Sequence, residues 1–325
     1  MRTSFVPFRT VSLSRLRYIT IFLLGLNGAL LAIAGGGAAY FARTSPIAFQ
    51  KLMSLTTEPV EEPDWSEAEY AVDISALISA IPYSGSDAVI AVLPSEMYER
   101  TILGGEGNCA NKSRGLAYYL EQRGLPFERV ELLKTDGFLL GQGHVVLRAL
   151  VMHEGEPRVA LIDMLEGGLA VRGGQPIDLP DLVIAQPYTI EILPLNWRMD
   201  RFSEYYGGFL DEIVVGRVPD DEIVPFFRFL EGVYVPIGLD RFERIVYNAL
   251  AIVQGSFPSL HVSQADYDRL VEGHRGKLAL AQAMVEATRV LLWSLPLTAG
   301  WLMARSISKR LAKRHIAADA VPVRA

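Results

Sequence analysis

The sequence predicts an α+β domain that is flanked by two transmembrane helices. Two long apolar segments near the ends of the chain predict the membrane spans. Between them, a segment with helical periodicity is followed by short alternating strands, the pattern of a helix followed by antiparallel strands. The chain has 325 residues, enough for a hydrophobic core, and its single cysteine cannot form an intramolecular disulfide.

The first apolar segment, residues 18–42, carries no charged residue. It is longer than the about 20 residues that a helix needs to cross a bilayer. Four arginines precede it in residues 1–17, so the positive-inside rule predicts a cytoplasmic N-terminus. A cleaved signal peptide is the alternative, because the segment ends in alanine and glycine residues.

The second apolar segment, residues 278–304, contains Glu286 and Arg289. These two residues are three positions apart, on one helical face, where they can pair. The basic tail 305–325 follows and predicts a cytoplasmic C-terminus, which places the intervening domain on the outer, periplasmic side of the cytoplasmic membrane. An amphipathic helix that lies on the membrane surface is the alternative.

Charge and motifs limit the possible partners. The net charge is -6, and the two ends of the chain have an excess of basic residues while the body between them has an excess of acidic ones. An acidic body argues against nucleic-acid binding. The sequence lacks CxxC, HExxH and Walker motifs, so it predicts neither a metal site nor a cofactor.

The chain between the spans divides into three parts by composition. Residues 43–71 are acidic and interrupted by proline, which predicts a linker. Residues 72–195 have the pattern of a compact mixed domain. Residues 196–277 predict an accessory region of mixed and helical character, with a helix at 239–254.

The only cysteine lies in the stretch GGEGNCANKSRGLAYYLEQRG, residues 104–124. Asn108 is a favoured helix N-cap and Gly124 a helix stop, so Cys109 falls in the first helical turn. The helix dipole at that position lowers the pKa of a thiol and increases the fraction of nucleophilic thiolate. A buried structural cysteine is the alternative interpretation.

Two later residues complete a catalytic arrangement. His144 begins a predicted strand and Asp163 ends the next one, so a hairpin folds Asp163 back towards His144. A carboxylate at that place fixes the imidazole tautomer and stabilises its charged form. The sequence therefore predicts Cys109 as nucleophile, His144 as base and Asp163 as the residue that orients it; His153, in the hairpin turn, is a rival base.

These segments resemble a known family. GGEGNCANKSRGLAYYLEQRGLPFERVELL and GHVVLRALVMHEGEPRVALID are similar to the core of the transglutaminase-like superfamily, over roughly residues 95–175. The resemblance implies a papain-like α+β fold and a bacterial-type, membrane-anchored member. It also implies Cys109 as nucleophile, His144 as base and acid, and Asp163 as the orienting carboxylate.

An oxyanion hole needs a second donor beside the backbone N–H of Cys109. Gln142 is the sequence candidate for this role, and Trp65 has a side chain of a suitable type. Neither residue lies in a motif that fixes its position.

The sequence thus predicts a membrane-anchored thiol enzyme of the cell envelope. It would act as a cysteine protease or amidase, or as an acyltransferase, through a thioester on Cys109, with a protein, peptide or amide as substrate. The alternative is a non-catalytic, membrane-anchored transglutaminase-like scaffold in an envelope or exopolysaccharide assembly, a role that requires none of the three residues.

Overall fold

The structure is a computed structural model that describes residues 13–44, 54–66, 69–89, 91–135, 143–184, 189–195, 213–233 and 258–319. The chain forms two compact units, one of Met1–Tyr40 with Gln282–Ala325 and one of Phe41–Ala281. In the described part, one sheet and eight α-helices are present, which confirms the mixed α+β class.

The eight helices of the described part differ widely in length. A short helix continues directly into a π-helical turn at Glu99–Leu103. The helices are α1 (Leu13–Thr44), α2 (Glu69–Ala80), α3 (Pro94–Tyr98), α4 (Cys109–Gln122), α5 (Leu179–Ile184), α6 (Asp220–Val233), α7 (Gln264–Glu272) and α8 (Arg275–Asp319).

A nine-stranded sheet forms the centre of the larger unit. The strands are β1 (Leu55–Thr56), β2 (Glu128–Lys134), β3 (Gly143–His153), β4 (Glu156–Asp163), β5 (Gly168–Arg172), β6 (Gln175–Pro176), β7 (Glu191–Pro194), β8 (Ile213–Pro219) and β9 (Leu260–His261). Their order is β1-β9-β8-β2-β3-β4-β5-β6, and β7 also pairs with β5. All pairs are antiparallel except β1 with β9.

Strand β3 is buried on both faces. Val146 points into a core with Leu132 of β2 and Leu161 of β4, which α5 covers through Leu182. Successive side chains of a strand alternate between the two faces, so the neighbouring residue Leu147 points the other way, and it is buried as well. Helices α2 and α4 both contact β3. The strand that carries the predicted site histidine near its start is therefore held by packing from two sides.

The described part of the predicted linker is attached to the sheet. Strand β1 pairs with β9, and the carboxylate of Glu62 accepts hydrogen bonds from Arg148 of β3 and Arg217 of β8. Helix α2 begins at Glu69, within the range 43–71 that composition assigned to the linker. The acidic composition of residues 43–71 predicted a polar linker. It could not predict that arginines of β3 and β8 bind this segment to the sheet.

The predicted accessory region extends the same sheet. Strand β8 pairs with β2 along its whole length, and β9 pairs with β8 at Arg217. Helix α6 follows β8 directly and contacts α3 and α4. The helix expected at 239–254 lies outside the described residues.

The smaller unit contains α1 up to Tyr40 and the part of α8 from Gln282 onwards. Among the described residues, Tyr18–Gly37 and Arg275–Arg310 are the two helical segments that are long and apolar enough to span a membrane. The predicted pair of Glu286 and Arg289 is present, with 3.0 Å between Oε1 and Nη1.

Polar side chains join α1 to α8 inside the smaller unit. Asn27 donates from Nδ2 to Oγ1 of Thr298 over 2.8 Å and accepts at Oδ1 from Oγ of Ser294 over 2.5 Å. All three side chains are buried. At Gly37, an added Cβ would lie 2.1 Å from Cγ and Sδ of Met284, so a larger residue would displace the Met284 side chain. Small residues and hydrogen bonds of this kind are typical of helix pairs in membranes.

Candidate active site

The start of α4 is fixed by a capping box. The side chain of Asn108 accepts from the backbone N–H of Asn111 over 3.1 Å, and Oδ1 of Asn111 accepts from the N–H of Asn108 over 3.4 Å. Asn111 also bonds both backbone groups of Val89. Because these bonds fix the first turn, Cys109 has a defined position at its first residue.

The glycines before the cysteine allow the chain to approach a neighbouring segment. Gly105 has a φ of 71°, and a Cβ there would lie 1.6 Å from the carbonyl oxygen of Pro82. Oγ of Ser84 donates to the carbonyl oxygen of Gly104 over 2.8 Å. The glycine-rich run therefore packs the cysteine loop against residues 81–89.

Helix α4 is tied to β3 next to the histidine. Oγ of Ser113, one turn after Cys109, donates to the carbonyl oxygen of Val145 over 3.2 Å. His144 is the second residue of β3. This bond holds the helix that carries the thiol against the strand that carries the imidazole. The thiol of Cys109 and the imidazole of His144 interact, and each shifts the pKa of the other.

The register of the β3–β4 hairpin brings His144 and Asp163 together. Leu147 lies opposite Ile162, so one step further along places Val146 opposite Asp163. His144 is then the diagonal neighbour of Asp163 on the same face. Nε2 of His144 lies 2.7 Å from Oδ2 of Asp163, and the two side chains are 2% and 0% exposed.

The second oxygen of Asp163 is also occupied. Oδ1 accepts from the backbone N–H groups of Leu165 and Glu166, each over 3.1 Å. An ionised carboxylate only accepts hydrogen bonds, so Nε2 of His144 carries a proton towards it. The other ring nitrogen, Nδ1, is then the one that serves Cys109.

The electrostatics of the site favour a thiolate. Burial raises the pKa of Cys109, but the hydrogen bond and charge of His144 and the backbone N–H of Val145 outweigh burial and the carboxylate of Asp163, so the pKa is lowered. Burial lowers the pKa of His144, but the charge and hydrogen bond of Asp163 and the contact with Cys109 raise it to about 10. At neutral pH these shifts favour a thiolate–imidazolium pair. Cys109 is partly exposed, whereas His144 and Asp163 are buried.

Two further ionisable residues lie beside this arrangement. Lys112 is three residues after Cys109 in α4 and fully buried, and Glu166 follows Asp163 in the turn after β4 and is buried as well. Sequence analysis did not single out either residue. The only sequence signal was the i,i+3 spacing of Lys112 from the cysteine.

The other sequence candidates lie elsewhere. Gln142 falls outside the described residues. The ring of Trp65 lies 5.3 Å from Cζ of Arg148, and among the described residues its buried Nε1 has no hydrogen-bond partner. His153 ends β3, nine residues beyond His144, which is roughly 30 Å along an extended strand. The structure therefore separates His153 from Cys109.

The described residues contain no group of three or more His, Cys, Asp or Glu side chains placed to hold a metal ion. Comparisons of the chain with family models, curated proteins and solved structures find no match. The function is therefore inferred from the geometry of the site.

Proposed function

We propose that the protein is a membrane-anchored thiol enzyme that forms an acyl-enzyme on Cys109. The observation that carries the proposal is a set of three neighbouring side chains, in which Asp163 is hydrogen-bonded to His144 and His144 interacts with the thiol of Cys109. A nucleophile at a helix start, a base within reach and a group that orients the base are the requirements of nucleophilic acyl transfer.

The fold supports placing the enzyme in the transglutaminase-like class. Helix α4 starts at the cysteine, and β2, β3 and β4 follow it in an antiparallel arrangement. His144 lies at the start of β3 and Asp163 at the end of β4, the positions that the sequence resemblance assigns to the base and to its orienting carboxylate.

The chemistry follows from the protonation state. The Cys109 thiolate attacks the carbonyl carbon of an amide, and the electron pair of the C=O bond moves to oxygen. The backbone N–H of Cys109, at the start of α4, is a donor for that oxyanion. When the C–N bond breaks, imidazolium His144 gives its proton to the leaving nitrogen, and a thioester remains.

The second half of the reaction restores the enzyme. Neutral His144 takes a proton from water or from an acceptor amine as that nucleophile attacks the thioester carbonyl. The C–S bond then breaks, and the thiolate is released beside the reformed imidazolium. Asp163 stabilises the imidazolium in both halves without changing its own bonds. Hydrolysis and transfer differ only in the nucleophile of this step.

We further propose that both apolar segments cross the cytoplasmic membrane and that the catalytic domain lies outside. The buried bonds of Asn27 with Ser294 and Thr298 support a retained α1, because cleavage of a signal peptide would remove one side of that contact. The basic residues before the first span and after the second support cytoplasmic termini. A reporter that works only outside the cytoplasm should be active when fused at Ser203 and inactive at Ala325.

The test of the enzyme proposal is alkylation of the folded full-length protein in detergent with iodoacetamide. Cys109 should react with an apparent pKa below the ~8.5 of a free thiol, and His144→Ala should slow the reaction at neutral pH. His153→Ala is the matched control and should not change it. Labelling that requires denaturant would mean that Cys109 is a structural residue.

Turnover is tested separately, in cells. Cys109→Ala should abolish the phenotype that the wild-type gene restores in a null strain, while membrane insertion and thermal unfolding stay unchanged. Full complementation by Cys109→Ala would instead favour the scaffold, which needs no thiol.

A further inference from the structure

Lys112 is a buried cation next to the proposed nucleophile. It projects from α4 one turn after Cys109, and its side chain is 0% exposed. Nζ lies 4.7 Å from the centroid of the Tyr83 ring. Lysine is among the residues least often fully buried, because its ammonium group loses hydration. A fully buried lysine therefore needs negative charge close by to offset the lost hydration.

The charges that act on Lys112 come from the acidic side of the site. Asp163 and Glu166 both favour its protonated form. Burial has the larger, opposite effect, and the pKa of Lys112 is lowered to about 8. Glu166 and Asp163 belong to one turn, because the N–H of Glu166 donates to Oδ1 of Asp163 over 3.1 Å. The ammonium group thus lies in the field of two buried carboxylates.

We propose that Lys112 is a positioning residue of the thiol site, whose ammonium group balances the carboxylates of Asp163 and Glu166 and so keeps the Cys109 thiolate accessible at neutral pH. This inference rests on the proposed thiol chemistry. The ring nearest its ammonium group is Tyr83, from the segment before α3, and the carboxylates that act on it are Asp163, at the end of β4, and Glu166, in the turn after it. Cys109 lies one turn before Lys112 in α4.

A count of charges explains the need for a cation. With Cys109 as thiolate and His144 as imidazolium, those two charges cancel, and Asp163 and Glu166 leave the buried site with two negative charges. The carboxylate of Asp163 acts to raise the pKa of Cys109. The ammonium group of Lys112 offsets one of these two negative charges. The Cys109 thiolate, which would be a third anion in the buried site, then forms at a lower cost in free energy. The backbone amides that bind Asp163 stabilise its carboxylate but add no full charge.

The experiment measures the rate of Cys109 alkylation against pH in the full-length protein in detergent. Lys112→Met keeps an unbranched stem and removes the charge. It should move the midpoint to higher pH by about one unit, which is about a tenfold lower rate on the rising part of the profile. Glu166→Gln removes one opposing charge and should move the midpoint to lower pH. The double variant should return close to the wild-type profile, because the balance of charges is restored.

Each result separates this role from simple packing. A space-filling lysine predicts that Lys112→Met lowers the thermal unfolding temperature but leaves the alkylation midpoint in place, and that outcome would overturn the inference. If Lys112→Met fails to fold, Glu166→Gln decides alone, since an unchanged midpoint in that variant contradicts the charge balance. Lys112→Arg, where it folds, should retain the wild-type midpoint.

Failure of this inference is distinguishable from failure of the thiol enzyme proposal. If wild-type Cys109 titrates like a free thiol and ignores His144→Ala, the activated thiol itself is wrong. If it titrates low and responds to His144→Ala but not to Lys112→Met or Glu166→Gln, only the role of Lys112 is wrong.

Discussion

Replacement of Asp163 by asparagine removes a buried charge while preserving the shape of the side chain. The carboxylate accepts from Nε2 of His144 over 2.7 Å and is the largest of the influences that raise the pKa of His144 to about 10. Since one pKa unit corresponds to about 1.4 kcal/mol, the rise from 6.5 represents roughly 5 kcal/mol in favour of the imidazolium. Most of that stabilisation is lost when the side chain becomes neutral.

The expected effect on the thiol follows from the loss of the imidazolium. Without its charged partner, Cys109 keeps the burial that raises its pKa and the backbone N–H of Val145 that lowers it, but it loses the charge of His144. The substitution also removes the carboxylate of Asp163, whose opposing influence on the Cys109 pKa is smaller than that of His144. A free thiol with a pKa of ~8.5 is only about 3% ionised at pH 7, so alkylation at that pH should fall by up to about 30-fold. Turnover should fall further, by up to about 10⁴, because the amide can also hold the wrong tautomer of His144.

The assay is the iodoacetamide rate between pH 5 and 10, with circular dichroism to confirm folding. Asp73→Asn is the matched control, because Asp73 also accepts from a cation over 2.7 Å, from Arg123, but in an exposed pair. It should leave the profile unchanged. A folded Asp163→Asn variant with the wild-type rate and midpoint would refute the assigned role of the carboxylate.

Three further predictions concern stability. The raised pKa of His144 in the folded state means that its protonation stabilises the fold fully below the unfolded pKa of about 6.5, and that this stabilisation is lost as pH rises towards about 10. The difference in unfolding free energy between wild type and Asp163→Asn should therefore shrink over that pH range. A difference that stays constant would contradict this. Gly105→Ala places a Cβ 1.6 Å from the carbonyl oxygen of Pro82 and should lower the unfolding free energy by more than Gly124→Ala does. Gly124 also has a positive φ, of 66°, but its surroundings are open, so Gly124→Ala measures the backbone strain alone, about 1–3 kcal/mol. Asn27→Leu removes two hydrogen bonds between α1 and α8 and should destabilise this helix pair in detergent by about 1 kcal/mol. Leu24→Ala, at an exposed position of α1, should not destabilise it. An equal loss of stability in the two variants would argue against the polar contact.

Local signals made part of the fold predictable. Asn108 and Gly124 mark the ends of the helix at the cysteine, and the structure has α4 at Cys109–Gln122. The turn after His153 marks the hairpin of β3 and β4. By contrast, the pairing of Leu55 with Leu260 joins residues that are distant in the chain. A two-residue strand leaves no period in the sequence, so such a pairing cannot be predicted from pattern.

The same distinction applies to the site. The proximity of His144 and Asp163 follows from a hairpin, in which register is a local property. The positions of Lys112 and Glu166 do not, because a lysine or glutamate is most often solvent-exposed. Burial depends on what the rest of the chain places around a residue, and that information is not local.

A second group of buried charges shows why the proposed chemistry belongs at Cys109 and not on the sheet nearby. Glu128 is fully buried, yet Arg217 donates to its Oε1 over 2.6 Å and Arg148 to its Oε2 over 3.2 Å. Arg148 also binds Asp178 over 2.7 Å. A guanidinium stays protonated at every physiological pH, so these carboxylates have permanent partners and no proton to exchange. Removing one partner would leave an uncompensated charge and destabilise the sheet. The partner of Asp163 is instead the imidazole of His144, which can give and take a proton beside a partly exposed thiol. A guanidinium partner therefore indicates a structural ion network, whereas an imidazole partner is compatible with a site that can react.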